Sequence, residues 1–292
     1  MPMAERPPVP QQSNPLAIAK MDVGRGSPIG FEVLPDDKAR IQHFAETLMH
    51  EYRSAKEAGR EKVVFILPVG PIGQFEVWAD QCNAQGVSLA DLVVVNMDEY
   101  LVPDSTRFIA KSDTLSFRAH MDRALYARLD PALRPPESAR HFPEPARPEA
   151  TGELIDALGG VDVCFGGVGI TGHLAFNDPP EQGDDMGVEE FAALPTRIVR
   201  LSRETRTVNA ITAARGNIDR IPEFAITVGM KEILQSRKVR IYMNRHWQCA
   251  IVRKLLHGSV TAAVPASLLQ RHPDARVAAV DLVTDLPEPT LQ

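Results

Sequence analysis

The chain has 292 residues, 44% of them hydrophobic and 24% charged, with a formal net charge of −6. That is material for a large core with an ordinary polar surface. No Lys/Arg run supplies the basic face of a nucleic-acid binder, no segment has the length of a membrane span, and the first residues lack the apolar core of a signal peptide. Cys82, Cys164 and Cys249 are scattered and show no CxxC spacing, which argues against a disulfide framework and fits a reducing, cytoplasmic setting.

Residues 1–30, rich in Pro, Gln, Ser and Gly, read as an extension outside the core, suited to wrapping the surface or to assembly. A single α/β domain is expected over 31–292. From Asp36 to Gly59 the spacing of Ile41, Phe44, Ala45, Leu48 and Met49 predicts a helix. The apolar run 62–67 predicts a buried parallel strand. The alternation continues with a helix over 72–85, a strand over 92–96 and a helix over 113–129. A proline-rich surface loop is expected over 131–150 and a strand over 161–165. Residues 179–195 are acidic and aperiodic, and predict a loop or lid. Strands are expected over 196–201, 225–228 and 239–243. Ser202 caps a helix, further helices run over 247–256 and 266–270, and a last strand over 277–280 closes the sheet. Strands alternating with helices imply an α/β fold: an open, mostly parallel Rossmann-like sheet with helices on both faces.

In such sheets ligands bind beyond the carboxyl ends of the strands. Chemistry-bearing residues gather there: Gly70 in Val69–Gly73, Asp98-Glu99, the stretch Gly166–Asp178, and Arg245. Asp98, backed by apolar residues, reads either as a desolvated general base or as a turn or cap residue. Gly167 and Gly169 let a ligand approach the backbone, and His173 can carry protons near neutral pH, with Asp178 placed to orient it. The alternative is a structural turn with a satisfied histidine. The glycine spacing does not match GxGxxG, and no acidic residue stands where a ribose ligand would. The histidines lack zinc-site spacing, and no GxSxG elbow occurs.

Asn96-Met97-Asp98-Glu99-Tyr100 resembles a signature of the glucosamine-6-phosphate deaminase/isomerase family. So does the loop Gly166-Gly167-Val168-Gly169-x-x-Gly172-His173-x-Ala175-Phe176-Asn177-x-Pro179. Thr205-Arg206, Ala225–Gly229 and Val264–His272 follow in the family's order, so the resemblance spans about Val63 to Asp281. The 6-phosphogluconolactonases share the fold and a similar loop, but carry Asp-Glu-Arg where this chain has Asp98-Glu99-Tyr100. The resemblance implies an enzyme without metal or organic cofactor that acts on a small sugar, phosphorylated in the family, and that assembles as a homo-oligomer. It implies that Asp98 moves a proton between C1 and C2 through an enediol(amine), that His173 opens the sugar ring, and that Asp178 orients it. Glu99, Gly70, Gly167 and Gly169 fall at the substrate, and Arg206 matches a phosphate-binding arginine. Two other readings on the same fold are a catalytically weak sugar-sensing protein and a lactone hydrolase.

The chain also departs from the family. Thr171 stands where the family has an Asp beside the histidine, and Asp178 where it has a Glu. Val69–Gly73 lacks the hydroxyls of the family's phosphate loop. Gln248 occupies the place of a lysine, and Arg245 nearby reads either as a replacement cation or as a solvated loop charge. These departures imply a changed substrate or an altered activity.

Overall fold

A computed structural model describes residues 14–181 and 183–289. Residues 1–13 of the predicted extension, and Gln182 in the predicted acidic loop, lie outside the described residues. In chain order the regular elements are β1 (Gly30–Leu34), α1 (Asp37–Glu57), β2 (Val63–Leu67), α2 (Gln74–Gln85), β3 (Leu92–Asn96), β4 (Asp98–Tyr100) and α3 (Phe117–Met121). They continue with β5 (Arg140–His141), α4 (Ala150–Ala157), β6 (Val163–Gly166), α5 (Val188–Ala192), β7 (Arg197–Arg200) and α6 (Arg203–Ala213). The last are β8 (Phe224–Thr227), α7 (Met230–Leu234), β9 (Lys238–Met243), α8 (Cys249–His257) and β10 (Ala275–Val280).

Seven strands form one open parallel sheet in the order β1-β10-β9-β6-β2-β3-β5. Its central strands are apolar on both faces because both faces are covered. Val63, Phe65 and Leu67 point toward α1 and α2, packing with Phe44, Leu48 and Trp78. Val64 and Ile66 point the other way, into a cluster with Ile155, Ile233, Val252 and Leu256 of α4, α7 and α8. Among the described residues no helix is long and apolar enough to cross a membrane.

The structure departs from the sequence reading in several places. The sheet ends at β1, a strand the sequence reading missed, so β10 is internal. β7 and β8 leave the large sheet and form a small antiparallel sheet with β4 in the order β4-β8-β7. Met97 alone separates β3 from β4, and β4 leaves the large sheet to pair antiparallel with β8. The helix expected over 113–129 shrinks to α3 and a π turn over Asp122–Tyr126, because Ser116 caps it, its hydroxyl accepting from Ala119 N. α4 and α5 lie at or within segments expected to be loops, and α5 is anchored by buried Phe191. The run 265–271 is a 3₁₀ helix.

Residues 14–29 pack onto the domain, with Ile18, Val23 and Ile29 buried in the main cluster rather than outside the core. Arg253 of α8, fully buried, donates to the carbonyls of Ile18, Cys249, Thr284 and Asp285. One turn on, His257 Nε2 accepts from Gly24 N (2.9 Å).

Candidate active site

Asp98 and the histidine loop follow β3 and β6, the two strands that flank β2. Asp98 opens β4 and is 8% exposed. Burial, helped by the neighbouring charge of Glu99, pushes its carboxyl up to about 8. Such a carboxyl holds its proton at neutral pH, and is a strong base once it has lost it.

Side chains alternate along a strand, so Glu99 points away from Asp98. Glu99, expected at the substrate, turns its carboxylate toward the start of α3. Its fully buried carboxylate accepts from the amides of Tyr100, Phe117 and Arg118, from Ser116 Oγ and from Arg118 Nε. It anchors the start of α3, and these donors occupy both of its oxygens.

After β6 the chain makes a tight turn in which Gly172 N donates to Gly169 O and Gly169 N to His173 O, each at 3.0 Å. Gly172 has a left-handed φ of +86°, which glycine adopts freely. His173, 9% exposed, lies against Gly169, and a β-carbon at Gly169 would fall 1.9 Å from His173 Nε2. Gly169 thus serves the histidine through space rather than only through an exposed backbone. His173 Nδ1 is 2.7 Å from Asp178 Oδ1, and the Thr171 hydroxyl donates to that same oxygen at 2.8 Å. Burial opposes the Asp178 charge, but the hydrogen bond and charge of His173, with the threonine hydroxyls, hold its carboxyl well below the usual range. Nδ1, facing that carboxylate, is the nitrogen placed to donate, so a neutral imidazole in this setting carries its lone pair on Nε2.

The loop is tied to the strand bearing Asp98. Phe176 N donates to Thr227 Oγ1 (3.0 Å), and Thr227 is the cross-strand partner of Asp98. The Phe176 ring packs between those of Tyr100 and His173, with centroids 5.7 and 6.4 Å away. Asp98, His173, Asp178 and Thr171 therefore share one locality.

The expected substrate-binding residues divide. Gly70 is exposed with open space beside it, and Gly167 lies against the Gly70–Pro71 peptide, which is cis. Arg206 Nη1 and Nη2 reach Glu223 and the Ile221 carbonyl, while its buried Nε has no partner among the described residues. Arg245 is exposed and close enough to Asp37 for its charge to act there. Gln248, also expected at the substrate, turns its amide to backbone groups. It is 3% exposed, Oε1 accepts from the amides of Asn244 and Arg245, and Nε2 donates to Val168 O at 2.6 Å. It braces the histidine loop against the end of β9. Gln248→Leu would strand those backbone groups and should destabilise the fold by roughly 2–4 kcal/mol, read from a urea midpoint.

Sequence reasoning missed two hydroxyls. Thr205 and Thr227 are buried and bond the loop from outside it. For Thr205 a signal existed: Ser202 as helix cap sets Thr205 in the first turn, beside whatever the helix start faces.

No family model matches the chain. A glucosamine-6-phosphate deaminase of Lachnoclostridium phytofermentans is 31% identical over 213 residues, covering 71% of this chain and 81% of the relative. One from a Geobacillus species is 31% identical over 216 residues, covering 71% and 77%. Among solved structures, one described as a monomeric glucosamine-6-phosphate deaminase superposes with a TM-score of 0.72 at 24% identity, covering 87% of this chain and 98% of its own. A 6-phosphogluconolactonase of Thermotoga maritima follows with a TM-score of 0.61 at 15% identity, covering 86% and 99%. The structural likenesses speak for the fold. The sequence identity, held over most of both chains, goes further and makes this chain a member of the glucosamine-6-phosphate deaminase family.

Proposed function

We propose that the chain is an amino-sugar isomerase-deaminase working in the cytoplasm on a phosphorylated hexosamine. The observation that carries this reading is a buried carboxyl, its ionisation pushed up to about 8, tied through Thr227 and Phe176 to the loop of a histidine whose Nδ1 is held by an ionised aspartate. Ring opening needs a group that takes the O1 proton and returns it to O5, and Nε2 of a neutral His173 offers the lone pair for it. The open-chain aldehyde then loses its C2 proton to the Asp98 carboxylate, giving an enolamine. Asp98 returns the proton at C1, and the resulting imine takes up water and releases ammonia. Overall, amino sugar and water give ketose and ammonia. The free, buried cysteines suit a reducing compartment.

For the phosphate, Arg206 Nε is a buried donor in search of an acceptor, and the exposed backbone at Gly70 precedes α2, whose N-terminus has no side-chain cap. Arg206→Met should raise KM for the phosphorylated sugar by about 10–100-fold and affect kcat less, in steady-state assays, as loss of a hydrogen bond to a charged group does.

The direct test is incubation with glucosamine 6-phosphate while following ammonia and fructose 6-phosphate. Binding without either product would make the chain a sugar sensor. Hydrolysis of a sugar lactone in their place would make it a lactonase.

A further inference from the structure

Asp178 does not hold His173 unaided. Its Oδ1 accepts from His173 Nδ1, from Thr171 and from Thr205, the last at 2.8 Å. Thr171 rides on the same loop as the histidine, so it cannot fix that loop against the rest of the site. Thr205 can. It is 1% exposed, and its amide donates to Ser202 Oγ (3.1 Å), so the start of α6 fixes its backbone. A threonine in a helix often turns its hydroxyl to a carbonyl of the preceding turn. Here the hydroxyl turns to the carboxylate, and His173 Nδ1 lies farther off at 3.3 Å.

A second tie runs alongside. Phe176 N bonds Thr227 Oγ1, and Thr227 pairs with Asp98 across β8 and β4. α6 leaves β7, and β7 pairs with the same Thr227. The loop 171–178 is thus pinned at Phe176 and at Asp178 to the small antiparallel sheet that carries Asp98. From this geometry we infer that Thr205 is a positioning residue: through Asp178 it registers the His173 imidazole against the Asp98 carboxyl, with the small sheet as the frame. This rests on the proposed roles of His173 and Asp98.

Thr205→Val keeps the shape and removes the hydroxyl. The expected result is a fall in kcat of about tenfold or more with little change in KM, and recovery in Thr205→Ser. In an Asp178→Asn background the same change should cost nothing further, because the residue acts through that carboxylate. The Nδ1–H proton resonance of His173, assigned by its loss in His173→Gln, should shift in Thr205→Val without any substrate present. A wild-type kcat with an unmoved resonance would overturn the inference, as would an equal loss of rate in the Asp178→Asn background. If the wild-type chain turns over no amino sugar, the proposed function fails, and the resonance still decides whether Thr205 positions the imidazole.

Discussion

Gly169→Ala should lower kcat/KM by about 10²-fold or more, since misplacing a reacting group by about 1 Å is enough for that. The new β-carbon would lie 1.9 Å from His173 Nε2, 2.1 Å from Cε1 and 2.5 Å from Cδ2. One of the two must move. The backbone is held by Gly169 N to His173 O and by Gly172 N to Gly169 O. The ring is held by Asp178 at Nδ1. Rotating the ring away breaks that bond and removes Nε2 from its place, while shifting the turn disturbs the Gln248 brace at Val168. Gly167→Ala is the comparison: its β-carbon would meet Pro71 Cδ at 3.4 Å and Tyr242 O at 3.5 Å, ordinary contacts, so the loss should be far smaller. Equal losses from the two alanines, in assays of ammonia release, would mean that the imidazole position does not set the rate.

Asp98→Asn should reduce turnover by about 10²–10⁴-fold, the usual worth of a positioned acid-base group. It should also abolish solvent-deuterium incorporation at C2. In the wild type, kcat/KM should climb with pH as Asp98 ionises, levelling above about 8. The same substitution has a stability consequence of definite sign. The folded carboxyl ionises near 8, the unfolded one near 3.8. Between those values the native chain holds a proton that the unfolded chain has released, so stability falls as pH rises through that window and stays low above it. Asparagine cannot ionise. Asp98→Asn should therefore melt higher than wild type at pH 9 and close to it at pH 4, with each 1 kcal/mol gained appearing as roughly 2–4 °C. A variant that is slower yet more stable in alkali is what a buried, functionally strained carboxyl predicts. Identical melting curves for the two proteins at pH 9 would place Asp98 in water, and the base would have to be sought elsewhere.

Much of the layout was legible because its signals are local. Runs such as Val63–Leu67 and Leu92–Asn96 announce buried parallel strands, and His173 with Asp178 five residues on lies within one loop. What escaped depends on partners distant in the chain. β1 is a short edge strand, mostly exposed, whose one partner is β10 at the far end of the sequence. The carboxylate of Glu99 looks like its neighbour's until the strand alternation turns it toward α3. Gln248 reads as a lost cation, yet its amide spans from Val168 to Asn244 and Arg245. The hydroxyls of Thr205 and Thr227 gain their meaning only when the small sheet brings α6 and β8 beside the histidine loop.

The helix α8 has an importance that its modest length conceals. Near its middle, Arg253 ties the segment before β1 to the segment after β10 by their carbonyls, and His257 holds Gly24. At its very start sits Gln248, whose amide steadies the turn before His173. Trimming residues 14–29 as if they were a dispensable tail would empty one side of the Arg253 grip and leave a buried cation short of acceptors. For anyone engineering this protein, a truncation or fusion near Ile18 removes a support of the helix whose start steadies the turn before His173.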